Sequence, residues 1–221
     1  MATRDVFVLQ RSKSISCEAE VVEDRPSVPI ICPKFPGHRR ARRLQGRIII
    51  DVEKSDSTDC LWTFFSDCLL NDEVLTELSA RGCTGFTTGE VEANGNPTGK
   101  TYSQFRAAGW GGMAPPVSGI RETERCEFCG HLTYSGIKDP SRLFNSTKWD
   151  GSDVFFIWPL PKFICVTSKV ASLFSELAVT GVQITPITEL QTTMRGFSPG
   201  RLSNLIPKDR ANEIGRPLGI E

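Results

Sequence analysis

Apolar and polar positions along the chain predict two stretches of mixed strand and helix. Runs of β-branched and aromatic residues are typical of short strands, and segments with helical spacing separate them. The predicted strands are residues 60–65, 68–70 and 86–91 in the first stretch and 154–158, 163–166 and 182–187 in the second. A helix is predicted between the second and third strand of each stretch.

Each predicted helix carries an apolar stripe. The stripes consist of Val74, Leu75 and Leu78 in the first helix and Val170, Leu173, Phe174 and Leu177 in the second. The second set follows the i, i+3, i+4, i+7 spacing of a helix with one buried face. Small polar residues that suit an N-cap precede both helices, namely Asn71 and Asp72 in the first stretch and Thr167 and Ser168 in the second.

The two stretches align with each other at a constant shift. The pairs separated by 96 residues are Val74 and Val170, Leu78 and Phe174, and Gly85 and Gly181. Similarity at a fixed spacing indicates a repeated supersecondary unit. We therefore predict an α/β (α+β) fold of two similar β-β-α-β units with a zinc-knuckle-like insert. The alternative is a chance likeness between two generic α/β stretches.

Composition shifts along the chain predict four parts. They are a first α/β half with a basic loop at 1–95, a Gly/Pro-rich connection at 96–148, a second α/β unit at 149–195 and an extended tail at 196–221. Residues 107–116, with the sequence AAGWGGMAPP, are expected to form a loop. Three prolines in the tail favour an extension that packs loosely.

Bulk composition limits the location and the partners of the chain. Its 221 residues are 39% hydrophobic, which is typical of a globular protein, and 26 basic residues balance 26 acidic ones. Net charge therefore gives no general attraction to nucleic acid or to a membrane. Neither a signal-peptide core nor a membrane-spanning apolar run is present, so we expect a cytoplasmic protein with reduced thiols.

A Cys-x-x-Cys-Gly sequence is the strongest chemical signal. Cys126 and Cys129 have the spacing with which two thiolates bind one tetrahedral zinc ion, and Gly130 suits the turn. Two further ligands are required, and Cys32 with His38 could supply them; Cys17 and His131 are other candidates. The alternative is a former metal site that packing now holds. The remaining cysteines in apolar surroundings, Cys60, Cys68, Cys83 and Cys165, are predicted to be core side chains.

Catalysis has little support in the sequence, and nucleic-acid binding has one feature in its favour. The chain has only two histidines and no recognisable nucleophile turn, so we expect no enzyme. The basic run Arg39–Arg43 could contact phosphates, dock on an acidic protein surface or form a solvated loop. Aromatic residues are not interleaved with this run, which weighs against nucleic acid.

The second half of the chain resembles the double-CxxCG motif family of bacterial immunity proteins. The resemblance lies in the Cys126–Gly130 knuckle, in Asp153-Val-Phe-Phe, and in a strand and helix that lead to a Gly-Val-x-Ile-x-x-Ile ending, within residues 125–190. In the first half, Cys32-Pro33 stands where the first knuckle of the family begins. Phe35 replaces its second cysteine and Gly37 is shifted by one place, so this knuckle is degenerate. Only Cys32, Cys126, Cys129 and Gly130 correspond to the motif.

The resemblance implies a protein that binds one cognate bacterial toxin and neutralises it without turnover, as in a toxin–antitoxin pair. It further implies that any zinc is structural. The competing hypothesis is a zinc-knuckle module that binds nucleic acid through Arg39–Arg43. Neither the toxin nor the contact residues nor the oligomeric state follows from the sequence.

Overall fold

The computed structural model describes residues 5–14, 17–43, 46–52, 58–95, 99–191 and 194–221. Strands and helices are mixed along these residues, which makes the fold α+β. The helices are α1 (Asp72–Ala80), α2 (Ser168–Glu176) and α3 (Lys208–Gly215). The strands are β1 (Val6–Arg11), β2 (Glu18–Glu23), β3 (Ser27–Ile31), β4 (Arg39–Arg43), β5 (Ile48–Asp51), β6 (Cys60–Thr63), β7 (Cys68–Asn71), β8 (Phe86–Gly89), β9 (Val91–Asn94), β10 (Tyr102–Ala107), β11 (Gly109–Met113), β12 (Glu122–Arg125), β13 (Leu132–Ser135), β14 (Val154–Trp158), β15 (Ile164–Thr167), β16 (Val182–Pro186) and β17 (Gly196–Phe197).

A five-stranded sheet contains β1 and the strands around α2. Its order is β11-β14-β15-β1-β16, and only the pair β11 and β14 is parallel. All five residues of β14, with the sequence Val-Phe-Phe-Ile-Trp, are buried. An uninterrupted apolar run suits this position because β14 has a strand on each side and apolar clusters on both faces.

A seven-stranded sheet contains the strands around α1, in the order β8-β10-β7-β6-β2-β5-β9. Along β6, Cys60 and Trp62 belong to one apolar cluster and Leu61 to another. This alternation follows from the two-residue period of a strand, which places successive side chains on opposite faces. The cluster that contains Cys60 also includes side chains of both α1 and α2, so the two helices share one core.

The carboxylate of Asp59 joins the start of β6 to the turn after α2. Its Oδ2 accepts hydrogen bonds from the Thr180 backbone N–H at 2.9 Å and from the Thr180 hydroxyl at 2.7 Å. Lys100 Nζ lies 2.7 Å from Oδ1. Burial raises the pKa of Asp59, but the hydrogen bonds from Lys100 and Thr180 outweigh burial and lower it. The carboxylate is therefore ionised at neutral pH.

The carboxylate of Asp153 makes the same kind of contact at the start of β14. Its Oδ2 accepts hydrogen bonds from the Thr84 backbone N–H at 3.1 Å and from the Thr84 hydroxyl at 3.4 Å. Lys169 Nζ lies 3.2 Å from the same oxygen. Each Thr-Gly turn that follows a helix is thus bound to the first strand of the other stretch.

Glycine is required in both turns because the backbone there has positive φ and approaches a strand closely. Gly85 and Gly181 have φ of 84° and 82°. A Cβ on Gly181 would lie 2.0 Å from the carbonyl oxygen of Cys60, and one on Gly85 would lie 2.2 Å from that of Val154. Any side chain would force each turn away from the strand that it contacts.

The predicted N-caps have different outcomes. The Asn71 side chain accepts a hydrogen bond from the Glu73 backbone N–H at 3.1 Å, which confirms the cap of α1. Thr167 precedes α2, but its side chain makes no capping bond to the helix. Its hydroxyl donates to Asp153 Oδ1 at 3.1 Å, so a tertiary contact has replaced the local one and this prediction is wrong.

The Gly/Pro-rich connection predicted at 96–148 contains strands of both large sheets. The loop expected at 107–116 is wrong, because Gly109–Met113 form β11 and pair in parallel with β14. A Cβ on Gly111 would lie 2.5 Å from the Phe155 ring. These glycines therefore serve close packing of a strand on bulky aromatic side chains rather than a turn.

The residues 196–221 do not form the extended tail that their prolines predicted. They contain α3, and Leu202, Ala211 and Ile220 are fully buried in the core beside the five-stranded sheet. Pro207 directly precedes the first helical residue of α3. At that place a proline costs no intrahelical hydrogen bond and fixes a suitable φ, so it starts the helix.

None of the α-helices among the described residues has both the length and the apolar character of a membrane span. The longest helices, α1 and α2, have nine residues each. A membrane-spanning helix needs about 20 residues.

We expect Gly181→Ala to lower the free energy of unfolding by about 3 kcal/mol or more, since it adds a clash to an unfavourable φ. Gly82→Ala is the matched control, because Gly82 also has positive φ (63°) but a Cβ there would meet no atom within 4 Å. The control should lose only about 1–2 kcal/mol. Urea unfolding of both variants measures the difference; equal losses would contradict the close approach of the turn to β6.

Candidate metal centre

Two hairpins carry the candidate ligands in their loops. Strand β3 pairs with β4 in an antiparallel register that brings Ile31 opposite Arg39, and the loop between them contains Cys32 and His38. Strand β12 pairs with β13 in the same manner, and the loop between them contains Cys126 and Cys129. Because each loop closes an antiparallel pair, the two candidate ligands in each loop are held at the end of a hairpin.

Hydrogen bonds within the loops fix their shape. The Cys126 N–H donates to the His131 carbonyl at 2.8 Å, and the Gly130 N–H donates to the Cys126 carbonyl at 2.9 Å. Gly130 has a φ of 65°, and the Arg201 guanidinium fills the space where a Cβ would stand. The glycine of the knuckle is thus required by its backbone conformation and by the packing of Arg201.

The four ligands predicted from the sequence lie together. Cys32 Sγ is 3.8 Å from Cys126 Sγ, and Cys129 Sγ is 3.8 Å from His38 Nδ1. All four donor atoms lie within 4.8 Å of one another. Sulfur atoms bound to a tetrahedral zinc ion at about 2.3 Å are about 3.8 Å apart, whereas the sulfurs of a disulfide are about 2.05 Å apart. The donor set therefore fits a zinc ion.

Backbone N–H groups that point at two of the sulfurs favour thiolates. Burial raises the pKa of Cys32, but N–H groups of Lys34 and Phe35 outweigh burial and lower it. The Phe35 N–H lies 3.3 Å from Cys32 Sγ. Burial likewise raises the pKa of Cys126, and hydrogen bonds from the backbone of Cys129 and Phe128 bring about a net lowering. A thiolate is the form of cysteine that binds a metal.

The pKa of the third thiol, Cys129, shifts in the opposite direction. The pKa of Cys129 is raised, first by burial and then by the adjacent sulfurs of Cys32 and Cys126, despite a backbone hydrogen bond from His131. Three thiols that share one small space cannot all ionise cheaply in the absence of a cation, since like charges repel. A divalent cation removes this repulsion and stabilises all three thiolates.

The His38 ring contacts two other rings, and each of its nitrogens has a polar neighbour. Its ring centroid lies 4.3 Å from that of His131 in a stacked arrangement and 5.2 Å from that of Phe35. While Nδ1 is directed at Cys129, Nε2 lies 2.9 Å from Glu124 Oε1. The ring therefore presents one nitrogen to the thiols and the other to a carboxylate.

The sequence predicted the four residues of the cluster but not their surroundings. Cys17, an alternative ligand, is buried in the cluster that contains Trp62 and is not part of the metal-ligand group. His131, the other alternative, stacks on His38 and forms a second group with His38 and Glu124. No spacing in the sequence indicated Glu124, because its relation to His38 depends on how the two hairpins pack.

The remaining predicted core cysteines are buried, as expected. Cys60, Cys68, Cys83 and Cys165 are each at most 8% exposed. Burial raises the pKa of Cys165 to about 12 and that of Cys60 well above its usual value. The thiols of Cys60 and Cys165 are therefore protonated core side chains near neutral pH.

The basic run is a strand and not the basic loop that was predicted. Residues Arg39–Arg43 form β4 and pair along their whole length with β3. The apolar sequence Val28-Pro-Ile-Ile31 of β3 supplies a strand-forming partner, and this pairing overrides the loop tendency of a charge run. The run thus belongs to the hairpin that carries Cys32 and His38.

We expect the purified protein to contain one zinc ion per chain, and Cys126→Ser to lose it. If the free zinc concentration is about 100 times the dissociation constant of the site, binding adds about 2.7 kcal/mol to the free energy of unfolding. For a chain of this size, that increment raises the melting temperature by about 5–10 °C. A chelator should remove that increment from the wild type and not from Cys126→Ser. Cys83→Ser, at a buried cysteine outside the cluster, is the control and should keep the metal. Elemental analysis that finds no metal in any of these proteins would reject the centre.

Models of known protein families give no match to the chain, and neither do curated protein sequences. The chemistry of the site therefore rests on its own atoms: three sulfurs and one imidazole nitrogen at the spacing of a tetrahedral zinc ion.

Proposed function

We propose that the protein is a non-catalytic immunity protein that binds one cognate bacterial toxin in the cytoplasm and neutralises it by occlusion. The observation that carries this proposal is the Cys32, His38, Cys126 and Cys129 cluster, since Cys126–Gly130 is the part of the chain that most resembles the double-CxxCG family. Four protein donors fill a tetrahedral zinc ion and leave no position for water or substrate. Such a closed site is structural, which agrees with an inhibitor that needs no turnover.

A frame of two similar units supports the same proposal. The order and the relative strand directions of β11-β14-β15-β1-β16 also occur in β2-β6-β7-β10-β8. The first residues of β1 and β10, Val6 and Tyr102, are separated by the same 96 residues as Gly85 and Gly181. We infer that the chain contains two copies of one unit, which exchange their first strands and contact each other through the two Thr-Gly turns.

Exposed apolar side chains beside the metal centre suit a protein partner. Ile31, Phe35 and Phe128 are more than half exposed, and all belong to the two hairpins that carry the ligands. Large apolar side chains in water are typical of surfaces that bind proteins, and aromatic residues often dominate the binding energy. Lys34 Nζ lies 5.4 Å from the centre of the Phe128 ring and adds a positive charge to this surface.

We expect co-expression of the chain to relieve killing by the toxin encoded beside it, and the two proteins to co-purify. The double variant Ile31→Ser/Phe128→Ser should lose most of this protection while it keeps its metal, because it changes exposed side chains and not the ligands. Val117→Ser, which removes another exposed apolar side chain, is the control and should protect like the wild type. Unrelieved killing together with an absence of co-purification would reject the proposal.

The competing function is nucleic-acid binding through β4, where four of five residues are arginine. Contacts with phosphates would make binding fall steeply as salt rises, and replacement of Arg39, Arg40, Arg42 and Arg43 by alanine would abolish it. For an immunity protein of net charge zero we expect no such binding. A gel-shift titration at two salt concentrations separates the two functions, and strong salt-dependent binding would favour this second one.

A further inference from the structure

A carboxylate outside the ligand set contacts the one ligand that is not a cysteine. Glu124 lies on β12, two residues before Cys126, and its Oε1 is 2.9 Å from His38 Nε2. The His38 side chain is 15% exposed and that of Glu124 is 50% exposed, so the contact joins a mostly buried ring to a carboxylate at the surface. It also links the two hairpins directly.

We propose that Glu124 is the positioning residue that makes His38 the fourth metal ligand, through Nδ1. This inference rests on the proposed metal centre. A neutral imidazole has one N–H and one lone pair. When Glu124 accepts the hydrogen bond from the proton at Nε2, the lone pair is left on Nδ1, the nitrogen that lies 3.8 Å from Cys129 Sγ. A carboxylate behind a ligating histidine orients the ring and strengthens it as a ligand.

The aromatic neighbours of His38 do not determine which of its two nitrogens faces the thiols. His131 stacks on the ring with an interplanar angle of 19°, and Phe35 packs on it at 41°. Stacking sets the plane of the ring but does not distinguish its two nitrogens. A hydrogen bond to one nitrogen does distinguish them. Glu124 contacts Nε2, whereas Nδ1 is the nitrogen that faces Cys129.

The loop between β3 and β4 supplies one sulfur and one imidazole to the donor set. The Phe35 backbone N–H donates to Cys32 Sγ at 3.3 Å and fixes the turn around that sulfur. His38, at the other end of the loop, completes the four donors.

A rival arrangement uses the same atoms differently. His38, Glu124 and His131 also have donor atoms within 4.8 Å of one another. If Glu124 were itself a ligand, His38 would bridge two ions, and the chain would hold two metals instead of one. Metal stoichiometry separates the two arrangements.

The test compares zinc affinity, by competition with a chromophoric chelator, in the wild type, Glu124→Ala, His38→Ala and the double variant. Glu124→Ala should weaken zinc binding about 10–100-fold. It should cause no further loss in the His38→Ala background, because it acts only through the ring. Glu124→Gln, which can still accept the hydrogen bond, should recover part of the affinity. Glu127→Ala removes the same charge from the knuckle and should bind like the wild type.

Cobalt(II) in place of zinc gives a readout that a general loss of stability would not produce. Thiolate-to-cobalt charge-transfer bands should persist in Glu124→Ala, whereas the d–d bands should shift as in His38→Ala, because one nitrogen ligand is lost and three sulfurs remain. A wild type that binds no zinc would reject the metal centre itself. If the wild type binds zinc, then unchanged affinity in Glu124→Ala, additive losses in the double variant, or a second ion lost with Glu124 would each overturn the role of Glu124 alone.

Discussion

Three cysteine sulfurs and one imidazole nitrogen share a space in which all lie within 4.8 Å of one another. Such an arrangement is costly without a cation, because adjacent thiolates repel and buried thiols resist ionisation. With a cation, the same atoms become the strongest contact between two hairpins that are far apart in sequence. The hairpin of β3 and β4 forms a two-stranded sheet of its own, and a two-stranded sheet is marginal in water. If the site binds zinc, metal binding and the placement of this hairpin share one free energy.

The rest of the chain is joined by contacts of a different kind. Asp59 and Asp153 each bind the backbone and hydroxyl of a threonine at the turn after the opposite helix. These carboxylates are exposed in part, and each has a lysine beside it. The core that α1 and α2 share consists of apolar side chains. The polar groups of the two turns beside it are hydrogen-bonded to these carboxylates. Electrostatic contacts set where the two large sheets meet, and burial of apolar surface holds them there.

The elements that the sequence predicted are those whose signal is local. The stripes of α1 and α2, the apolar run of β14 and the Asn71 cap depend on neighbours within one turn or one strand. Only Leu177 departs from its predicted stripe, since it follows the last residue of α2 and is 38% exposed. The errors lie where a distant group decides the structure: Thr167 turns to Asp153 instead of its helix, and β11 exists because Phe155 and Val154 accept a glycine-rich strand. Cys32 and His38 were predicted only as candidates to complete the site, with Cys17 and His131 as alternatives. Glu124 could not be predicted, because nothing local relates it to His38.

The donor set of three cysteines and one histidine also determines the charge that a zinc centre would have here. A zinc ion with four thiolates has two net negative charges, and with three thiolates and a neutral imidazole it has one. Glu124 returns one negative charge just outside the ligands, on the far side of the His38 ring. If the site holds zinc, the polarised imidazole is a stronger ligand. His38 and Glu124 then act together, one as ligand and the other as the group that orients it. With all four positions filled by protein donors, such a centre would hold the two hairpins and their exposed apolar side chains in place.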